Sequence, residues 1–322
     1  MILNYNCLNF LEKSDLPWIK FKMCKRLDLD NVEKLSVLKS ELLNDERICK
    51  LLNECRKWPE PSLSRHNDVK HIIHKICLLL DFGLDINDEG ISGIVDQILK
   101  HQDNKGAFLS TLLIPKAYGG SDEPALQWLM CDFPILLYIL VYLGFKENAQ
   151  VKKAIEFLKN ITDENGWHCL GSVEKFRGPG RKADHCPNGT LLALKVFSLL
   201  PEYHSESFVT NGIDSILSQW INRKERKIYM FAMGTDFRKL KYPNHWFDIV
   251  NICRILSKFE YAKKSGSFVE MLQIINDKQL SNGGFVPETV YTEYKGWDFG
   301  QKKEASPSLT YAIWDIFENS RI

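Results

Sequence analysis

Asn282-Gly283-Gly284-Phe285 closes an amphipathic run through Met271 and Ile275, and Asn165-Gly166-Trp167 closes another through Ala154 and Leu158. In both, apolar residues at helical spacing give way to a polar turn with glycine and then to an aromatic. The pattern returns at Ile94-Leu99-His101-Gln102-Gly106-Phe108 and in looser form at Ile213-Leu217-Trp220-Lys227-Tyr229. Gly106 and Gly166 are 60 positions apart, and Gly166 and Gly284 are 118 apart, two steps of 59. A period of about 60 residues lies at the upper edge of ordinary solenoid repeats.

A second, more apolar helix is expected between successive turns: Val69 to Phe82, Phe133 to Leu143, Leu191 to Leu200, Ile249 to Phe259 and Leu309 to Phe317. Each repeat is therefore a helical hairpin. Leu16 to Leu27, followed by Asn31 to Leu43 and Arg47 to Trp58, supplies a further inner and outer pair, and Asn4 to Lys13 supplies the outer helix that closes against the last inner one. The expected fold is all-α, an α6/α6 toroid with six inner and six outer helices in one domain over residues 1–322. Hairpin arithmetic alone also permits an open superhelix, and the apolar terminal helices favour closure.

The 322 residues are 44% hydrophobic and 26% charged, enough for a large core. With 42 basic and 41 acidic side chains the formal charge is +1, which does not steer the chain to nucleic acid. The longest apolar run, Phe133 to Gly144, is shorter than the roughly 20 residues of a membrane helix. No export signal is read at the N-terminus, and nine cysteines without a tight CxxC pair fit a reducing compartment, so a cytoplasmic location is expected.

The loops that lead into the inner helices gather the polar groups. His66, Asp68, His71 and His74 precede or open the second inner helix, where His71 and His74 share a face and offer ligands to a metal. Capping by Asn67 or Asp68 explains the same residues without a metal. Asp132 reads as an N-cap of the third inner helix. Before the fourth, Trp167-His168-Cys169 leads to Lys175-Phe176-Arg177-Gly178-Pro179-Gly180-Arg181-Lys182-Ala183-Asp184-His185-Cys186. Arg177, Arg181 and Lys182 beside flexible glycines suit a phosphate or diphosphate, and Cys186 with Asp184 and Cys169 offers sulfur and oxygen to zinc. Arg238, Lys239, His245, Trp246 and Asp248 lead into the fifth inner helix and Trp297 precedes the sixth. Three basic mouths in succession imply an electropositive pocket or, more plainly, a solvated rim.

The hairpin repeats ending in Gly-Gly-Phe or Asn-Gly-Trp resemble, over nearly the whole chain, those of the protein prenyltransferase and terpenoid cyclase superfamily. Arg181-Lys182-Ala183-Asp184-His185-Cys186 is similar to the prenyltransferase β-subunit stretch in which basic residues hold the diphosphate and Asp-x-Cys binds zinc. The resemblance implies a third ligand near Asp248 or His245, where that family has a histidine, and a helical partner subunit. The Asp-x-Asp-Asp acid of the cyclase branch is absent. Phe176-Arg177-Gly178-Pro179-Gly180-Arg181-Lys182 and Gly234-Thr235-Asp236-Phe237-Arg238-Lys239 also resemble a prokaryotic group sometimes labelled nitrogen fixation protein, although no P-loop is present.

Three functions follow as expectations. The first is a zinc-assisted transferase or lyase acting on an isoprenoid diphosphate: Arg177, Arg181, Lys182, Arg238 and Lys239 neutralise the leaving group, Cys169, Asp184, Cys186 and His245 hold zinc, and Trp167, Trp246 and Trp297 line the cavity. His66, Asp68, His71, Asp132 and Asp248 are the candidate catalytic groups. The second is a non-catalytic module for an anionic ligand or peptide. The third is a carbohydrate-active toroid, which needs two facing carboxylates such as Asp132, Asp184 or Asp248.

Overall fold

The computed structural model describes residues 6–174, 176, 178, 184–228 and 230–321. Helices dominate it. In chain order they are α1 (Asn6–Glu12), α2 (Pro17–Leu27), α3 (Val32–Asn44), α4 (Glu46–Cys55), α5 (Ile72–Phe82), α6 (Ile91–Lys100) and α7 (Phe133–Tyr142). There follow α8 (Ala149–Asn160), α9 (Pro187–Phe197), α10 (Ser207–Ile221), α11 (Ile249–Leu256), α12 (Glu260–Lys263), α13 (Gly266–Asn276) and α14 (Pro307–Asn319). Two short antiparallel pairs accompany them: β1 (Ser110–Leu113) with β2 (Pro124–Gln127), and β3 (Thr162–Asp163) with β4 (Gly166–Trp167).

Contacts between helices follow a cycle. Helix α2 packs on α5, α5 on α7, α7 on α9, α9 on α11, α11 on α14, and α14 on α2 again. A second set packs on these: α1 on α2 and α14, α4 on α5, α8 on α7, α10 on α9, and α13 on α11 and α10. Sequence explains the division. In α7 eight of ten residues are buried, because α5, α9 and α8 all lie against it. In α13 only Phe268, Met271, Leu272 and Ile275 are buried, one stripe at i, i+3, i+4 and i+7.

Local chemistry sets the boundaries. Helix α5 starts at Ile72 rather than Val69 because His71 is its N-cap, the ring Nδ1 accepting the Ile73 N–H at 3.3 Å. It stops at Gly83, whose φ of +107° is left-handed and whose Cβ, if present, would meet the Phe21 ring at 2.7 Å. The repeat turn has a recurrent bonding scheme: the N–H of Trp167 donates to Thr190 Oγ1 at 3.1 Å, and that of Phe285 to Thr310 Oγ1 at 3.0 Å. The carbonyls of Gly106 and Gly283 accept from Gln102 and Gln279, at 2.9 and 3.0 Å. Among the described residues no helix is long and apolar enough to cross a membrane.

Candidate functional site

A cavity of about 270 Å³ is lined by side chains from α2, α5, α7, α9, α11 and α14, all six helices of the contact cycle. Its polar wall is charged. Arg254 forks onto Asp81, with Nη1 at 3.1 Å from Oδ2 and Nη2 on Oδ1, while Lys22 Nζ lies 3.6 Å from the same carboxylate. Tyr242 donates its hydroxyl to Asp81, and Lys258 pairs with Asp315 at 3.4 Å. Lys195 makes no ion pair among the described residues, and its ammonium lies 4.3 Å from the centre of the Tyr138 ring. Lys22, similarly, is 4.0 Å from the Tyr311 ring centre.

Four cations thus face two carboxylates, a local excess of two positive charges. Burial alone would raise the Asp81 carboxyl, but Arg254 and Lys22 outweigh it and hold the group well below its ordinary range. Burial lowers the ammonium groups of Lys22, Lys195 and Lys258. Cations stripped of water with too few counter-charges are what an anionic ligand relieves. On the same wall His245 stacks between His74, 4.8 Å away, and Tyr291, 4.6 Å away, and its buried Nε2 has no hydrogen-bond partner.

A second cluster is made of sulfur. The Met130 N–H donates to the Leu170 carbonyl at 2.9 Å and the Cys186 N–H to the Trp167 carbonyl at 2.7 Å, which brings Cys131, Cys169 and Cys186 together. Cys186 is the N-cap of α9, its sulfur accepting the Gly189 N–H at 3.3 Å. Thiols of Cys131 and Cys169 donate to it as well, which holds Cys186 well below the usual thiol range, and the same bonds together with burial push Cys131 and Cys169 up. Burial lowers the His66 ring to about 4, and its Nδ1 is buried with no hydrogen-bond partner among the described residues.

The remaining candidates take other roles. His71 caps α5 through Nδ1, its Nε2 is buried without a hydrogen-bond partner among the described residues, and burial lowers its ring to about 3. Asp68 is exposed and accepts the Lys70 N–H at 3.0 Å. Asp132 occupies the N-cap position of α7, yet its side chain turns back to the Leu129 N–H at 2.9 Å. Asp248 caps α11 through the Asn251 N–H at 2.9 Å. Asp184 is tied to Arg226. Asp132 and Asp248 each keep a second carboxylate oxygen, Oδ2, buried without a hydrogen-bond partner among the described residues.

Trp167 is fully buried, its indole N–H donating to the Leu158 carbonyl at 2.8 Å, so it belongs to the core rather than to a ligand wall. Trp246 is half-buried beside Phe231. Trp297 stacks on Phe82 at 5.5 Å and lines a separate cleft with Arg47, Lys50 and Lys295. Arg238 is exposed with Nε on the Gly234 carbonyl, and Lys239 pairs with Asp236 at 3.1 Å. Arg177, Arg181 and Lys182 lie outside the described residues, as does Tyr229.

The zinc set implied by the resemblance is not gathered. Asp184 is engaged by Arg226 and His245 by its ring neighbours, and among the described residues no group of three or more His, Cys, Asp or Glu side chains is placed to hold a metal ion. Comparison with known proteins gives no matching family model and no matching curated protein.

Proposed function

We propose that the cyclic helix order is the closed α/α toroid of the prenyltransferase and terpenoid cyclase kind, and that its axial cavity binds a small diphosphate ester. One observation carries the reading: six helices each turn polar or charged residues into one cavity with an excess of two positive charges. Lys195 and Arg254 would take the diphosphate oxygens, with Lys22 and Lys258 beside them, and the faces of Tyr138 and Tyr311 would meet the first carbons of the ester. The volume is slightly below the usual range of ligand pockets, roughly 300–1,000 Å³, and suits a diphosphate with a short tail. In a transferase or lyase the same cations would stabilise the departing diphosphate.

The test is a thermal-shift comparison of a short prenyl diphosphate, inorganic diphosphate and the corresponding alcohol. Both diphosphates should raise the melting temperature and the alcohol should not. A shift with the alcohol alone would overturn the reading. Release of inorganic diphosphate from the bound ester then separates an enzyme from a module that only binds.

A further inference from the structure

We propose that Cys186 and Cys169 form a hydroperoxide-sensitive dithiol, a modification site at which the two sulfurs join reversibly as a disulfide. The stretches that carry them run side by side on bonds that do not involve sulfur. The Cys186 N–H donates to the Trp167 carbonyl at 2.7 Å, and His168 Nδ1 to the Asp184 carbonyl at 3.2 Å. Cys169 follows directly on the first stretch, so its side chain meets that of Cys186 across the pair.

Three donors converge on Cys186 Sγ: the Gly189 N–H at 3.3 Å and the thiols of Cys169 and Cys131. Cys186 is also the N-cap of α9, an 11-residue helix whose positive end favours a thiolate. Cys131 is buried, whereas Cys169 is half-buried, so a water-sized oxidant reaches the pair from the Cys169 side. Gly178 covers that side, and a Cβ there would fall 2.2 Å from Cys169 Sγ. A side chain at this position would displace the sulfur; glycine leaves it in place beside Cys186.

The Cys186 thiolate attacks one oxygen of a hydroperoxide. An S–O bond forms, the O–O bond breaks, and the second oxygen takes up a proton and leaves as water or an alcohol. The Cys169 sulfur then gives up its proton and attacks the Cys186 sulfenic acid; the S–S bond forms, the S–O bond breaks, and water leaves. Two thiols lose two electrons and two protons, and the hydroperoxide gains them. The bond joins the two ends of a segment that carries Arg177, Arg181 and Lys182 in the sequence. A small thiol reverses it. Neither sulfur lines the charged cavity, so oxidation and diphosphate binding are separable.

The experiment treats reduced full-length protein with hydrogen peroxide, alkylates it in denaturant and maps the peptides by mass spectrometry. The expected result is the loss of two alkylatable thiols, with the Cys169 and Cys186 peptides joined and released again by dithiothreitol. Cys169→Ser should leave Cys186 as a sulfenic acid that dimedone traps, and Cys186→Ser should leave Cys169 as an alkylatable thiol. The wild-type map decides even where a serine variant fails to fold. Cys49, an exposed thiol, reports that the oxidant is acting. Cys169 and Cys186 both still reduced when Cys49 is oxidised overturns the proposal, as does a bond from Cys186 to Cys131 instead, or oxidation of Cys169 in folded Cys186→Ser.

Discussion

Trp167 shows how one side chain can look functional in sequence and be structural in space. An aromatic after Asn-Gly in a long polar loop suggests a ligand wall, but its ring is fully buried, its amide bonds to Thr190 and its indole to Leu158. Trp167→Ala should cost about 3–5 kcal/mol in chemical denaturation, and Trp246→Ala, at a half-buried position, clearly less. Asp248 gives a pH signature. Burial raises its carboxyl from 3.8 to about 6, so the folded chain holds that proton more tightly than the unfolded one. The contribution is complete below about pH 4 and is lost as the pH rises through about 6, worth about 3 kcal/mol in all. Asp248→Asn keeps an oxygen for the Asn251 N–H and does not titrate. Its melting temperature relative to wild type should therefore rise between about pH 4 and about pH 7.5; a constant difference would contradict this.

At the scale of the element, glycine and apolar spacing pointed to the helices, because three of the four repeat turns are built on a left-handed glycine. Gly106, Gly166 and Gly283 have φ of +116°, +97° and +90°. Gly106→Ala puts a Cβ 2.8 Å from the Lys153 carbonyl in a strained conformation, whereas Gly93 lies inside α6 with nothing within 4 Å. Equilibrium unfolding should show Gly106→Ala destabilised by more than about 1 kcal/mol and Gly93→Ala stabilised by about 0.5–1 kcal/mol. Helix starts were less legible, since they depend on which polar group turns back to the chain. His71 caps α5 where Asn67 or Asp68 was expected, and Asp132 turns to Leu129 instead of to its own helix. The Gln-x-x-x-Gly unit, Gln102 to Gly106 and Gln279 to Gly283, was present in the sequence, and its bond from side chain to carbonyl is visible only in three dimensions.

For the whole molecule, the helix cycle α2, α5, α7, α9, α11, α14 follows the order of apolar segments in the sequence, but the charged cavity does not announce itself there. Sequence reading went to the loops, where basic residues cluster; the cavity draws single polar residues from apolar helices. Lys195 stands alone in Leu191-Leu192-Ala193-Leu194-Lys195-Val196-Phe197, and Asp81 follows three leucines. A lone charge in a helix buried on all sides is the signal that would have found them, because only a cavity or a partner makes such a charge tolerable. The thiol cluster was half legible: Cys169 and Cys186 flank the basic loop, while Cys131 is brought to them only by the long-range backbone bond of Met130 to Leu170. The account centres on the cavity as an anion site, and calorimetric titration of inorganic diphosphate into wild type and Lys195→Gln tests it most directly. One site per chain, weakened at least about tenfold in Lys195→Gln, is the expected result, a loss of about 1.4 kcal/mol or more. Binding of equal strength in the two proteins, or none in wild type, would contradict it.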